Sequence, residues 1–283
     1  MNPGVNALNG EQTMDALKSG MLHKVHSPLS SKIISSMWAG LMIGLGFVFY
    51  TTAQMGTAGA PLGPAKVLAG VVFSVGLALC IITGADLFTS TILTAFLASE
   101  GDISVGEMLK HWLLIYVGNM LGAAVLVCII FASGSPAGNH GAWGAVVLNT
   151  AAHKVEHTFV EAVALGIMCN LMVCLAVWMA FAGRTVTDKI VGLTAPVALF
   201  VASGFEHSVA NMYMIPLGLL VKNQAHPDVM AAVSNLDMSH LTVHGYLVSN
   251  LLPVTIGNII GGAMVALGMA FWHRNRPGRE LAH

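Results

Sequence analysis

The chain has 283 residues, of which 9% are charged and 55% hydrophobic, with a mean hydropathy of +0.76. Soluble domains carry roughly a quarter charged residues, so the composition points to a polytopic membrane protein of one domain. A net charge of −1 gives no electrostatic support to a nucleic-acid partner.

Residues 1–28 lack a continuous apolar stretch, so no secretory signal is expected there, and the first span serves as the insertion signal. Met14, Leu17, Met21, Leu22 and Val25 recur near helical spacing among Asp15, Lys18, His23 and Lys24. This predicts a short amphipathic helix resting on the membrane surface. Span one is expected at about 33–53, where Gly40 and Gly44 would let helix backbones approach. Span two starts near 67, breaks over 84–91 and resumes over 92–98. Span three covers about 112–132, a long polar loop 133–158 follows, and span four covers about 159–182. Span five, 191–221, breaks at 204–211. A second loop occupies 222–244 and span six about 247–272. Cys80, Cys128, Cys169 and Cys174 all lie in apolar runs without a Cys-x-x-Cys pair and read as small buried hydrophobes.

The two halves match. Each has a plain span, a broken span, and a span bearing Gly-Asn-x-x-Gly, at 118–122 and 257–261. The breaks at 84 and 204 lie 120 residues apart and the Gly-Asn pairs at 118 and 257 lie 139 apart, the longer second loop making up most of the difference. Three crossings per half is an odd number, so the second half must be inserted upside down. The expected fold is all-α: six transmembrane helices as a 3+3 inverted repeat with broken second and fifth helices. With the N-terminus inside, nine of the 12 lysines and arginines fall on the cytoplasmic side, leaving Lys66, Lys154 and Lys222 outside. The bias places both termini in the cytoplasm. The parts are a cytoplasmic segment 1–28, a channel domain 29–273 with repeats at about 29–133 and 159–273, and a cytoplasmic tail 274–283.

Breaks in mid-membrane free backbone groups that must face protein or a wet cavity. Thr89, Ser90 and Thr91 are expected to cap the second half-helix of span two, and Ser208 and Asn211 that of span five. Both half-helix N-termini would turn partial positive charge toward the centre, which favours anions. Asp86 and Glu206 are expected to bond the freed backbone N–H groups. Phe73, Leu77, Leu87, Phe88 and Phe200 flank the breaks. As a constriction they would strip an anion of its water, whereas a neutral acid would cross more cheaply. His207, between such constrictions, can hand a proton to a weak-acid anion and take it back. Each apolar side chain taken singly also fits ordinary helix packing.

One stretch fits an enzyme pattern. His153, Glu156 and His157 fit His-x-x-Glu-His, which on a helix sets two imidazoles on one face for a metalloprotease zinc, with Glu161 as a third ligand by spacing. No soluble catalytic domain surrounds it. The preferred reading there is Lys154 drawing anions to the outer vestibule. No metal or other cofactor and no enzymatic activity are expected. Aquaporins share the two-break plan, but Asn-Pro occurs here only at Asn2-Pro3.

The chain resembles the formate/nitrite transporter family over about residues 20–273. Three segments carry the likeness: Ile-Thr-Gly-Ala-Asp-Leu-Phe-Thr-Ser at 82–90, Gly-Ile-Met-Cys-Asn-Leu-Met-Val-Cys-Leu-Ala at 166–176, and Gly-Phe-Glu-His-Ser-Val-Ala-Asn at 204–211. His-Lys-Val-Glu-His-Thr-Phe at 153–159 and Asn-Met-Tyr-Met-Ile-Pro at 211–216 look most like its bacterial formate-channel branch. The resemblance implies an aquaporin-like protomer in a homopentamer of the bacterial inner membrane, with one path per subunit. It implies passage of formate and related small monovalent anions, nitrite or hydrosulfide being the alternatives, with proton exchange at the centre. It places Thr89 and His207, with Glu206 beside them, at the centre of the path. It sets Leu77, Leu87 and Phe88 at one constriction, Phe73 and Phe200 at the other, and Asn170 and Lys154 at a vestibule.

Overall fold

The computed structural model describes residues 6–275, and all regular structure among them is helical. Residues 1–5 and the expected tail from 276 onward, with Arg276 and Arg279, lie outside the described residues.

A first helix, α1 (Gly10–His26), precedes α2 (Leu29–Gln54) and α3 (Leu62–Thr83). After the first break come the short α4 (Phe88–Thr91) and α5 (Ala95–Glu100), then α6 (Val105–Ala132) and α7 (Ala142–Lys154). The second repeat holds α8 (Phe159–Ala182), α9 (Val186–Ala202), α10 (Ser208–Gln224), α11 (Pro227–Ala232) and α12 (Leu252–Arg274), the last led in by a π-helical stretch Gly245–Leu251. Among the described residues five helices are long and apolar enough to cross a membrane: α2, α3, α6, α8 and α12 with its lead-in. The remaining crossing is α9 and α10, two halves of 17 residues each.

The inverted repeat is visible in the packing. In the first half α2 packs on α6 and α3; in the second, α8 packs on α12 and α9; α3 and α9 meet across the middle. The α2–α6 and α8–α12 crossings are close in the same way. A Cβ on Gly122 would lie 1.8 Å from the Met37 carbonyl oxygen, and one on Gly261 would lie 2.2 Å from that of Ile167. Small residues let backbones touch where lipid gives no hydrophobic push. Bulky apolar side chains such as Leu113, Val160 and Phe271 stay exposed on the outer faces, as a hydrocarbon surround requires.

Each break begins with a glycine in the left-handed region, Gly84 at φ 75° and Gly204 at φ 74°, where a Cβ would be strained. The capping differs from expectation. Thr89, Ser90 and Thr91 lie inside α4 and the residue before it, Leu87, has no capping side chain. On α10 the cap is His207 itself, whose Nδ1 accepts the Ala210 N–H at 3.0 Å. Ser208 and Asn211 lie within that helix.

Three further expectations are corrected. Helix α1 does not spend its apolar face on a membrane surface; Met14, Leu17, Met21 and Val25 are buried in the protein, and Lys18 pins it to Glu100 at 3.0 Å and Asp102 at 2.8 Å. The stretch 133–158 is not simply a polar loop, because α7 buries Trp143, Val147, Leu148 and Ala151. Of the four cysteines, Cys128 is exposed on α6 while the other three are buried.

Candidate functional site

Two cavities approach the breaks from opposite ends and share no lining residue. The one beneath α7 has a volume of about 330 Å³ and is lined by Phe47, Tyr50, Asn149, Lys154, Glu206 and His207 among others. The one beneath α1 has a volume of about 230 Å³, lined in part by Met21, Lys24, Leu87, Ser90 and Lys189.

Between them stands a hydrogen bond, Thr89 Oγ1 to His207 Nε2, 3.0 Å. Both residues are buried. Since Nδ1 accepts the Ala210 N–H, the neutral ring carries its own hydrogen on Nε2, toward Thr89. Phe200 stacks on the imidazole, centroids 5.9 Å apart at 19°, and Phe73 meets Phe200 edge-on at 5.9 Å. These two rings line the α7-side cavity together with His207. Leu87 lines the α1-side cavity. Leu77 is buried and lines neither cavity. Phe88 departs from its expected place: its ring packs edge-on against Tyr116 at 4.8 Å and lines an outer groove with Trp112 and Leu251.

The sequence predicts that Asp86 and Glu206 bond the freed backbone N–H groups; instead both carboxylates bond lysines. Glu206 Oε1 accepts from Lys154 Nζ at 2.8 Å, and its Oε2 accepts from Asn211 at 2.7 Å and Asn250 at 3.1 Å. Asp86 Oδ1 accepts from Lys24 Nζ at 2.8 Å, and its Oδ2 from the Ser35 hydroxyl. The pairs are repeat-related: Lys24 and Lys154 stand 130 residues apart, near the ends of α1 and α7. Helices α1 and α7 are therefore counterparts. Lys154 still lines its cavity, but it is 9% exposed and its charge is matched by Glu206. A buried pair of this kind holds only while both partners stay.

Two asparagines, singled out in the sequence only as repeat markers, fix both breaks. Asn119 Oδ1 accepts the first N–H of α4, from Phe88, at 2.8 Å; its Nδ2 donates to the Asp86 carbonyl at 2.9 Å and the Ser36 carbonyl at 2.7 Å. Asn258 Oδ1 accepts the first N–H of α10, from Ser208, at 2.9 Å; its Nδ2 donates to the Glu206 and Gly166 carbonyls, each at 2.9 Å. Each side chain thus satisfies groups on both sides of a break and ties it to a neighbouring span. Asn170, expected in a vestibule, is fully buried and donates to the Asn258 carbonyl at 2.7 Å. His111 stands where Asn250 stands in the second repeat, again 139 residues away, and its buried ring nitrogens make no hydrogen bond.

The His-x-x-Glu-His pattern does not lie on one helix. Helix α7 ends at Lys154, so His157 falls beyond it, although the two rings come within 5.2 Å. Glu161 is engaged as the cap of α8, accepting from Thr158 N and Oγ1 at 2.8 Å each. Among the described residues no group of three or more His, Cys, Asp or Glu side chains is arranged to hold a metal.

Residues 11–273 match the family model of the formate/nitrite transporter. The formate channel FocA of Escherichia coli (strain K12) is 48% identical over 259 residues, covering 91% of this chain and 90% of that protein. FocA of Haemophilus influenzae is 42% identical over 260 residues, covering 91% and 92%. A solved pentameric formate channel with formate bound superposes with a TM-score of 0.78 at 39% identity, covering 87% of this chain and 97% of that one. Likeness at this level over nearly the whole chain settles the assignment: the chain belongs to the formate/nitrite transporter family.

Proposed function

We propose that the protein conducts formate and related small monovalent anions through each protomer, with His207 exchanging a proton with the substrate on the way. The observation that carries the reading is the Thr89–His207 contact, set between two cavities that open toward opposite ends and backed by stacked aromatic rings. The family's curated formate channels support the choice of substrate.

The chemistry follows from the ring's surroundings. An anion reaching Phe73 and Phe200 loses its water, which costs several kcal/mol unless the charge is removed. An imidazolium N–H proton moves to a carboxylate oxygen, leaving neutral imidazole and neutral acid. The neutral acid crosses the apolar stretch, and the reverse transfer restores the anion. Charging the ring puts hydrogen on both nitrogens, so the Ala210 bond opens while the ring is charged. Thr89 holds Nε2 in place and offers a hydroxyl to the passing acid. Glu206 acts through Lys154, Asn211 and Asn250, fixing the break that carries the ring.

Residues 29–273 form the conducting unit, and the pentameric solved relative supports a homopentamer with one path per subunit. Six crossings put both termini on one side, and the lysine and arginine bias makes that side the cytoplasm of a bacterial inner membrane. Purified protein in liposomes tests the reading directly. Protein-dependent formate uptake is expected; its absence at every pH removes the proposal.

A further inference from the structure

We propose that the α1-side cavity holds a capture subsite for small carboxylate anions, built on Lys189 and Ser90; this rests on the permeation reading above. Two lysines line that cavity, Lys24 and Lys189. Lys24 has no hydrogen left to give: its ammonium donates to the Gly84 and Ala85 carbonyls, 2.9 Å each, and to Asp86 at 2.8 Å. Lys189, in the first turn of α9, is half-buried and makes no ion pair among the described residues. Its neighbour Asp188 is turned to the helix cap, where Oδ2 accepts from Arg184 N at 3.1 Å and Thr185 N at 2.9 Å. Glu100 and Asp102 are held by Lys18. No carboxylate lines the cavity.

A second observation points the same way. The Ser90 hydroxyl is buried, lines the same cavity and has no hydrogen-bond partner. A buried unpaired hydroxyl is costly unless something in the cavity completes it. Much of the remaining lining is apolar, Met21, Leu87, Val177 and Phe181 among it, so water screens the lysine poorly. The other mouth differs, because Lys154 there is balanced by Glu206. One end of the path therefore carries an unbalanced cation and the other does not.

A passive path cannot favour net flow in one direction, so the subsite acts on saturation. Formate offered from the α1 face half-saturates at lower concentration, with a maximal rate lower by the same factor. The test is zero-trans formate uptake into right-side-out and inside-out membrane vesicles containing the protein. Half-saturation is expected to differ between faces by about threefold, the factor of a partly exposed ion pair. Lys189→Gln removes the difference, Lys189→Arg keeps it, Ser90→Ala shrinks it, and high salt narrows it in the unaltered protein. Equal half-saturation from the two faces overturns the subsite, as does a difference that survives in Lys189→Gln. No flux from either face removes the permeation reading and the subsite with it.

Discussion

Replacing either break-fixing asparagine by alanine deletes one acceptor and two donors, and the two sites lose the same set. Asn119→Ala leaves the Phe88 N–H without its acceptor and takes one donor each from the Asp86 and Ser36 carbonyls. Asn258→Ala leaves the Ser208 N–H without its acceptor and takes one donor each from the Glu206 and Gly166 carbonyls. At about 1 kcal/mol for each neutral bond, the loss is about 3 kcal/mol, and at the ~0.6 average measured in a membrane host it is about 2. Asn170 gives a scale, since its amide makes one strong hydrogen bond, to the Asn258 carbonyl, and accepts only a weak one from the Cys174 thiol at 3.8 Å, and Asn170→Ala is expected to cost about 1 kcal/mol. Asn149 is exposed and bonds only within α7, so Asn149→Ala should be near neutral. Equilibrium unfolding by SDS in mixed micelles measures all four. The reasoning fails if Asn119→Ala and Asn258→Ala unfold with Asn149→Ala, or if one costs several times the other.

Three more outcomes are expected. Gly122→Ala drives a methyl into the Met37 carbonyl at 1.8 Å and should destabilise strongly, whereas Gly268→Ala meets nothing within 4 Å and should stabilise by up to about 1 kcal/mol; equal melting temperatures would contradict the close crossing. Lys154→Ala leaves Glu206 buried and unpaired at about 3–5 kcal/mol, and adding Glu206→Gln should restore part of it in the same unfolding assay. No recovery in the double variant would contradict that account. Where Lys154 variants fold, their formate flux should fall less than that of His207 variants. The reverse order in liposomes would mean that the mouth, not the centre, limits passage.

The crossings were legible because hydrophobic length reads directly from sequence, and span four coincides with α8 at 159–182. The breaks were legible because Gly84 and Gly204 precede ionisable residues inside apolar runs. What held the breaks was not. Capping patterns in sequence are local to the helix starts, whereas Asn119 and Asn258 reach them from other spans, 31 and 50 residues away. A side chain that serves a distant N–H leaves no local pattern. One signal lies in the sequence: Lys24 and Lys154 each stand five residues ahead of a long helix, α2 and α8, which pairs α1 with α7. Helix α7 itself was hidden by its short apolar stretch, less than a span. Phe88 and Asn170 sit in matching motifs, yet only helix rotation decides whether such a residue faces the path, and rotation is set by packing.

Proton exchange at the imidazole is tested most directly by formate flux against pH in liposomes holding the unaltered protein or His207→Asn. Asparagine can keep a hydrogen bond to Thr89 but cannot carry a proton. Flux through the unaltered protein should rise as the pH falls, and the variant should lose that slope while still folding. An unchanged slope and rate in His207→Asn would contradict a proton passing through the ring.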